Sequence, residues 1–277
     1  MKVLIYVNSE KDVDGVSLKT LITNLEKHGI EYVTVGVDDT IANNDYSAMF
    51  VIGGDGTILR RTEYVNNNDI PIIGINGGKL GYLTEFERSE IESAVVLFVE
   101  NKLKRDCRAT LSVNYNGKEY LALNDAVIHR IYTENKGMIT SVSFYIDGNK
   151  IDTVYGDGII VATPTGSTAY SLSAGGTILA PGINAFSVTP ISAHSLSQRP
   201  VIYSSNSECV LKLENNYSGA LYVDGKFIAE LKVGDTVTIN KAKKDTVFLR
   251  KEKSNFYKKL SEKISSRNIW LWVKKID

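Results

Sequence analysis

Near residue 105 the spacing of apolar residues changes, and this limits the possible folds more than any single motif does. Lys2 to Val7 is a short apolar run of the kind buried on both faces of a parallel sheet. Leu18, Leu21, Ile22 and Leu25 then recur at helical spacing, and Gly29 stands where a helix stop is expected. Ile30 to Val37, Ala48 to Ile52 and Ile70 to Ile75 read as three more strands. Ser89-Glu90-Ile91-Glu92 reads as a capping box with Ser89 as N-cap and Glu92 at the third helical position. The helix it opens presents Ile91, Ala94, Val95, Phe98 and Val99 on one face. Strands alternating with helices predict βαβ units and a parallel sheet with right-handed crossovers.

Beyond residue 105 the pattern is one of hairpins. Thr110 to Arg130 reads as strand, Asn116-Gly117 turn and strand, the strongest short-range hairpin signal. Asp147-Gly148 and Asp224-Gly225 mark two further candidates, and Val233 to Ile239 and Thr246 to Arg250 continue the strand pattern. Ser254 to Ile264 predicts a short helix with Phe256, Leu260 and Ile264 spaced by four. Trp270 and Trp272 alternate with Leu271 and Val273, as in a final strand or a docking segment. The division expected is an α/β nucleotide-binding domain over 1–104, a β-rich domain over 105–250 and a C-terminal segment over 251–277. The 277 residues exceed what one compact core usually holds, which suits two domains.

Composition narrows the function classes. Lys+Arg and Asp+Glu both total 32, so the basic excess of a nucleic-acid-binding protein is missing, although local positive potential for a small anion is compatible with a zero total. Cys107 and Cys209 lie far apart without metal-ligand spacing and read as free thiols of a reducing compartment. His28, His129 and His194 form no zinc-binding pair. The apolar residues after Met1-Lys2 are too few for a signal-peptide core or a membrane span, which needs roughly 20. They read as a first strand, and the protein as cytoplasmic with no membrane partner.

Three segments carry chemistry. Gly53-Gly54-Asp55-Gly56-Thr57 follows the third strand and precedes a helix-compatible stretch from Ile58. Glycines there let the backbone approach phosphate oxygens, with a helix N-terminus behind, at the strand ends where open α/β sheets bind ligands. The loop lacks the Lys of a Walker A sequence. Asp55 either accepts the proton of an attacking hydroxyl or merely caps the helix of a tight turn. Tyr155 to Ser173 reads as a strand over Gly158 to Ala162, a hydroxyl- and glycine-rich turn, and a helix ending near Gly175-Gly176. It offers hydroxyl donors, free amides and an aromatic face for a base, or is an ordinary strand–turn–helix corner. Asn124-Asp125, at a strand end, grips a ribose edge or is a turn.

Taken together these motifs make the chain resemble the NAD kinase family, from the first strand to about Leu260. GGDGT at 53–57, LGYLTEF at 80–86, ND at 124–125, GDG at 156–158 and TPTGSTAYSLSAGG at 163–176 occur in the family's order and spacing. The resemblance implies a Rossmann-like α/β domain followed by a β-rich, sandwich-like domain, a site between them, and a C-terminal segment folded back on the first domain. It implies phosphorylation of the adenosine 2′-hydroxyl of NAD by ATP with Mg²⁺ or another divalent cation, in a homodimer or homotetramer. Asp55 matches the catalytic carboxylate, with Gly53, Gly54, Gly56 and Thr57 in the phosphate region, Arg60 one turn on, and Tyr82 near the nicotinamide half. Asn124, Asp125, Asp157, Thr165, Gly166, Thr168, Ala169, Tyr170, Ser171, Leu172 and Ser173 match positions in the NAD-contacting segments. Tyr155 stands where the family often has Arg or Lys, Tyr82 where Phe is common, and Lys226 follows Asp224-Gly225 where many members have Gln. Lys226 would restore the charge missing at Tyr155, whereas Asp224-Gly225 read alone is a plain type I′ turn. The competing readings are a lipid kinase of the diacylglycerol or sphingosine type, which shares GGDGT, and a dinucleotide-binding regulator without catalysis.

Overall fold

The computed structural model describes residues 1–36, 45–78, 81–131, 139–195, 197–214, 219–251 and 256–263. These form two compact units, the first built from residues 1–61, 68–107 and 247 onward, the second from 62–67 and 108–246. In the first unit the order is β1 (Lys2–Val7), α1 (Val16–Lys27), β2 (Glu31–Val35), β3 (Ala48–Gly53) and α2 (Asp55–Leu59). After α3 (Thr62–Asn67), which belongs to the second unit, come β4 (Ile72–Asn76), α4 (Ile91–Val99) and β5 (Lys104–Arg108). Strands β1, β2, β3 and β4 pair in parallel in the order β2-β1-β3-β4. Every residue of β3 and β4 is buried, as strands covered on both faces require. Ile5, Leu21, Leu25, Phe50, Ile73, Ala94 and Val95 share one core, with Phe50 and Phe98 meeting edge to face at 5.5 Å.

Helix ends in this unit are set by particular side chains. The Asp12 carboxylate accepts the Ser17 and Leu18 N–H groups at 3.1 and 2.9 Å, taking up free donors of the first turn of α1. Gly29 supplies the positive φ that ends it. The capping box expected at Ser89–Glu92 is displaced by two residues. Glu87 N–H donates to the Glu90 carboxylate at 2.9 Å, Ser89 lies inside a 3₁₀ turn over Arg88–Glu90, and α4 starts at Ile91. Val99, expected on the buried face, is exposed. The second strand ends at Val35, and Val37 lies outside the described residues, as do Leu80, Ile264 and the Trp270 to Val273 stretch.

The second unit contains two six-stranded sheets among the described residues. Its strands are β6 (Leu111–Tyr115), β7 (Lys118–Ala122), β8 (Asp125–Arg130), β9 (Thr140–Ile146), β10 (Asn149–Gly156), β11 (Gly158–Ala162), β12 (Ala185–Ile191), β13 (Val201–Ser204), β14 (Cys209–Leu213), β15 (Gly219–Val223), β16 (Lys226–Leu231) and β17 (Thr236–Lys241). One sheet runs β10-β9-β14-β17-β6-β7 and the other β13-β12-β11-β8-β15-β16, with antiparallel pairing within each. Val113, Ile128, Val142, Val161, Phe186, Leu211, Leu221 and Val237 from both sheets share one core, as in a sandwich. The three Asx-Gly pairs each turn a hairpin with two successive positive φ angles: 50° and 75° at Asn116-Gly117, 48° and 76° at Asp147-Gly148, 47° and 77° at Asp224-Gly225. The short α5 (Tyr170–Ser173) follows β11 after a 3₁₀ turn over Gly166–Thr168. Thr236–Lys241 replaces the strand expected from Val233, because residues 232–235 turn with Gly234 at φ 84°.

The last strand, β18 (Thr246–Arg250), read from sequence as continuing the β-rich series, joins the first unit's sheet beside β4, with β5 on its other side. Arg250 has no exposed side-chain surface. It donates to Asp106 at 2.5 Å, to Glu85 at 3.0 Å and to the Tyr82 carbonyl at 3.5 Å, with its guanidinium 5.2 Å from the Phe248 ring centroid. An arginine that deeply buried is tolerable only with its donors satisfied. Residues 256–263 are helical, and Lys259 of this segment donates to the Thr84 carbonyl at 2.9 Å and to Glu85 at 3.3 Å. Replacing Arg250 with Met is expected to destabilise the protein by about 3 kcal/mol, by leaving Asp106 without its buried cation and Glu85 with Lys259 alone. Urea unfolding of the variant checks this, and a loss below about 1 kcal/mol would show that the network contributes little.

Candidate active site

The glycine-rich loop leaves β3 at Gly53, whose register partner on β4 is Asn76. Gly53 O accepts Gly77 N–H at 2.9 Å, and a side chain at Gly53 would run into Thr57. Thr57 is buried, its hydroxyl accepting Gly54 N–H and Asn8 Nδ2 each at 3.3 Å. Gly54 and Gly56 face open space. Asp55 opens α2, which therefore starts three residues before Ile58. Its carboxylate accepts Tyr82 N–H at 2.9 Å on one oxygen and Leu83 N–H at 3.0 Å on the other. Gly81 lets the loop come this close, since a Cβ there would collide with Asp55. Lys263 Nζ lies 3.8 Å from Asp55 Oδ2 and 3.8 Å from the centroid of the Tyr82 ring. Arg60 is exposed at the end of α2. The result is a half-buried carboxylate, fixed by two amides, that keeps lone pairs for a hydroxyl proton.

The second group of candidate residues surrounds the start of β8. Asp224, in the β15–β16 turn, accepts the Leu123, Asn124 and Asp125 N–H groups at 2.8, 2.8 and 3.1 Å. Its own N–H returns to the Asp125 carbonyl at 2.9 Å. Asp224 is thus spent on holding Asn124-Asp125 in place, while Lys226, two residues on, is exposed. Asp125 is buried, and its carboxylate has no hydrogen-bond donor among the described residues. Burial, and then the nearby Asp224 charge, push Asp125 up to about 7. Burial also raises Asp224, to about 6, against the lowering effect of its three amide donors.

The hydroxyl-rich run divides into scaffold and surface. Thr163 donates to the Leu123 carbonyl at 2.5 Å and accepts Gly166 N–H at 3.0 Å, and Thr163 N–H reaches the Asn124 carbonyl at 2.9 Å. Any side chain on Gly166 would strike the Asn124 backbone, so the turn and the Asn-Asp pair are packed backbone to backbone. Ser167 bonds the Pro164 carbonyl at 2.6 Å and Leu179 N–H at 2.9 Å, and Ser171 pairs with Thr189 at 3.0 Å. Thr168 is buried, donating to the Thr165 carbonyl at 3.1 Å. Thr165 is buried, Ala169 and Leu172 half-buried, and Tyr170 and Ser173 exposed. Asp157 forms an ion pair with Arg130 at 2.9 Å, and Tyr155 is exposed with its carbonyl accepting His194 N–H at 2.9 Å. Sequence reasoning missed Thr163, Arg130, Arg250, Lys259 and Lys263. For the two lysines a signal existed: they share the helical stripe of Phe256 and Leu260. No group of three or more His, Cys, Asp or Glu side chains suited to a metal occurs among the described residues.

Residues 4–103 match the ATP-NAD kinase N-terminal domain and residues 123–251 the ATP-NAD kinase C-terminal domain. The chain belongs to the NAD kinase family. As a member of that family it is a kinase, a phosphotransferase with an alcohol acceptor. It is 36% identical over 266 residues to the NAD kinase of Caldicellulosiruptor bescii, covering 95% of this chain and 99% of that one. It is 38% identical over 231 residues to the bifunctional NADP phosphatase/NAD kinase of Methanococcus maripaludis, where it spans 40% of the relative's length and the match covers 81% of this chain. Among solved structures it is similar to yeast NADH kinase complexed with NADH, with TM-score 0.83 and 26% identity over 96% of this chain and 87% of that one. The NAD kinase of Archaeoglobus fulgidus in complex with ATP gives TM-score 0.80 and 25% identity over 96% and 99%. Among the described residues no helix is long and apolar enough to cross a membrane.

The acidic pair of this family member has a measurable consequence. Asp125 and Asp224 have pKa values above the ordinary 3.8, so the folded state binds their protons more tightly than the unfolded chain does. The stabilisation is complete below about pH 4 and is lost as pH rises through about 6 and 7. Unfolding free energy should therefore drop between pH 5 and 8, and Asp125→Asn should flatten the decline by on the order of 2 kcal/mol. Urea titrations at the two pH values decide it: an equal slope in variant and wild type would mean that Asp125 is not the titrating group.

Proposed function

We propose that this chain transfers the γ-phosphoryl group of ATP to the 2′-hydroxyl of the adenosine ribose of NAD, giving NADP, with Asp55 as the acceptor of the hydroxyl proton. The observation that carries this reading is the Asp55 carboxylate, held by the Tyr82 and Leu83 amides inside a glycine loop at the end of a parallel strand. A carboxylate in a phosphate-binding loop opposes its ligand unless the chemistry needs it. The 2′-oxygen forms a bond to phosphorus as the bond to the bridging oxygen of ADP breaks, the electron pair leaving with ADP and the hydroxyl proton passing to Asp55. The open backbone at Gly54 and Gly56 lets phosphate oxygens approach, while Thr57 fixes the loop through its bond to Gly54 N–H.

A divalent cation fits this site as a partner of Asp55 and the donor phosphates, because the carboxylate keeps free lone pairs and hard cations accept such mixed oxygen sets. When bound it neutralises phosphate charge. Asn124 and Asp125 are assigned to the adenosine end of NAD, and Asp157, Thr165, Thr168, Ala169 and Tyr170 to the rest of the dinucleotide. Asp224 is assigned to positioning, since among the described residues the hydrogen bonds of its carboxylate go to the 123–125 backbone. We further propose cytoplasmic location and a homodimer or homotetramer, for which mass measurement in solution is the test.

Two variants separate chemistry from binding. Asp55→Asn is expected to lower kcat for NADP formation by at least about 10³-fold while leaving NAD affinity within about threefold. Near-wild-type turnover would remove Asp55 as the proton acceptor. Tyr170→Ala takes away an exposed aromatic face and should raise the KM for NAD about tenfold, with kcat little altered. An unchanged KM would take Tyr170 out of the site.

A further inference from the structure

The helical segment 256–263 turns one stripe inward: residues 256, 259, 260 and 263 are half-buried, and 257, 258, 261 and 262 are exposed. Two of the four inward positions are lysines, where an amphipathic helix would ordinarily place apolar residues. Lys259 fastens the helix to the loop after Tyr82, through the Thr84 carbonyl at 2.9 Å and Glu85 at 3.3 Å. Lys263, one turn on, reaches Asp55 Oδ2 at 3.8 Å and lies 3.8 Å from the Tyr82 ring centroid. Tyr82 therefore meets both partners, its amide bonding the carboxylate and its ring facing the ammonium. Lys263 makes the only ion pair of Asp55 among the described residues, and both side chains are mostly shielded, 25% and 30% exposed. A fixed carboxylate repels a polyphosphate donor, and the loop carries no lysine of its own.

We propose that Lys263 is a further residue of the reaction centre, a cation that the C-terminal helix holds against Asp55 so that this carboxylate and the donor phosphates can share one site. The inference rests on the reading of Asp55 given above. The glycine loop supplies neutral donors, the C-terminal helix supplies charge, and the two ends of the first unit's sequence are needed together.

The test compares Lys263→Met and Lys263→Arg with wild type in NADP formation, with Mg-ATP and NAD binding by calorimetry and thermal unfolding alongside. Lys263→Met should lower kcat about 10²-fold and weaken Mg-ATP about tenfold, with NAD affinity and unfolding temperature unchanged. Lys263→Arg should recover at least about tenfold of the loss, because the charge is kept. The proposal is overturned if Lys263→Met leaves both kcat and Mg-ATP affinity within twofold. It is also overturned if NAD binding and thermal stability fall with activity, which would make the lysine a structural strut. Absence of NADP formation in wild type would instead sink the reading of the reaction, and Mg-ATP affinity would still decide Lys263.

Discussion

The two hydrogen bonds that the Tyr82 and Leu83 N–H groups donate to Asp55 are the constraint around which the first unit is arranged. They fix a negative charge where a glycine loop invites phosphate, and they hold only if the loop after Gly81 stays in place. That loop has little regular structure of its own. It is held from below by Arg250, which takes the Tyr82 carbonyl and Glu85, and by Lys259, which takes Thr84 and Glu85. Arg250 in turn is kept in register by β18, a strand that joins β4 only after the chain has built the whole second unit. The cost of burying a guanidinium is offset by its two carboxylate partners, and its bonds to Glu85 and the Tyr82 carbonyl also restrain the loop that holds Asp55.

Much of this was legible in the sequence, for identifiable reasons. Asn116-Gly117, Asp147-Gly148 and Asp224-Gly225 announced their hairpins because two successive positive φ angles admit few other residues. Lys2–Val7 and Ala48–Gly53 announced buried parallel strands because their apolar runs are uninterrupted. The sheet that receives Thr246–Arg250 was not legible, since alternation names a strand and not its neighbours. The helix start at Ile91 was misplaced because two acidic residues compete for the same role. Glu90 takes the cap since Lys251 also holds it, and the Glu87 N–H bond and then that lysine keep its carboxyl below the ordinary range. Such a choice depends on a residue 161 positions away.

The hydroxyl-rich run of the second unit shows why a specific motif overstates its ligand contacts. Thr163, Ser167 and Ser171 place their hydroxyls on protein atoms, and Gly166 is demanded by the Asn124 backbone it touches. These residues build a rigid turn, so their hydroxyls serve the scaffold. Arg130 beside Asp157 has the same logic. The aspartate is already paired within the protein, by an arginine at the end of β8.

Asp125 departs from what stability alone would select. It is buried and lies beside a second carboxylate, and both features penalise its ionised form. Asp224 meanwhile spends its carboxylate on three amides of the segment that carries Asp125. The pair therefore works as an asymmetric unit. One carboxylate is satisfied by the backbone and fixes geometry, while the other accepts no hydrogen bond from the described residues and sits at the place that geometry defines. Folds tend to retain such local costs where a ligand removes them. Under the proposed function, a ribose hydroxyl or a base amino group is assigned as the donor to this carboxylate.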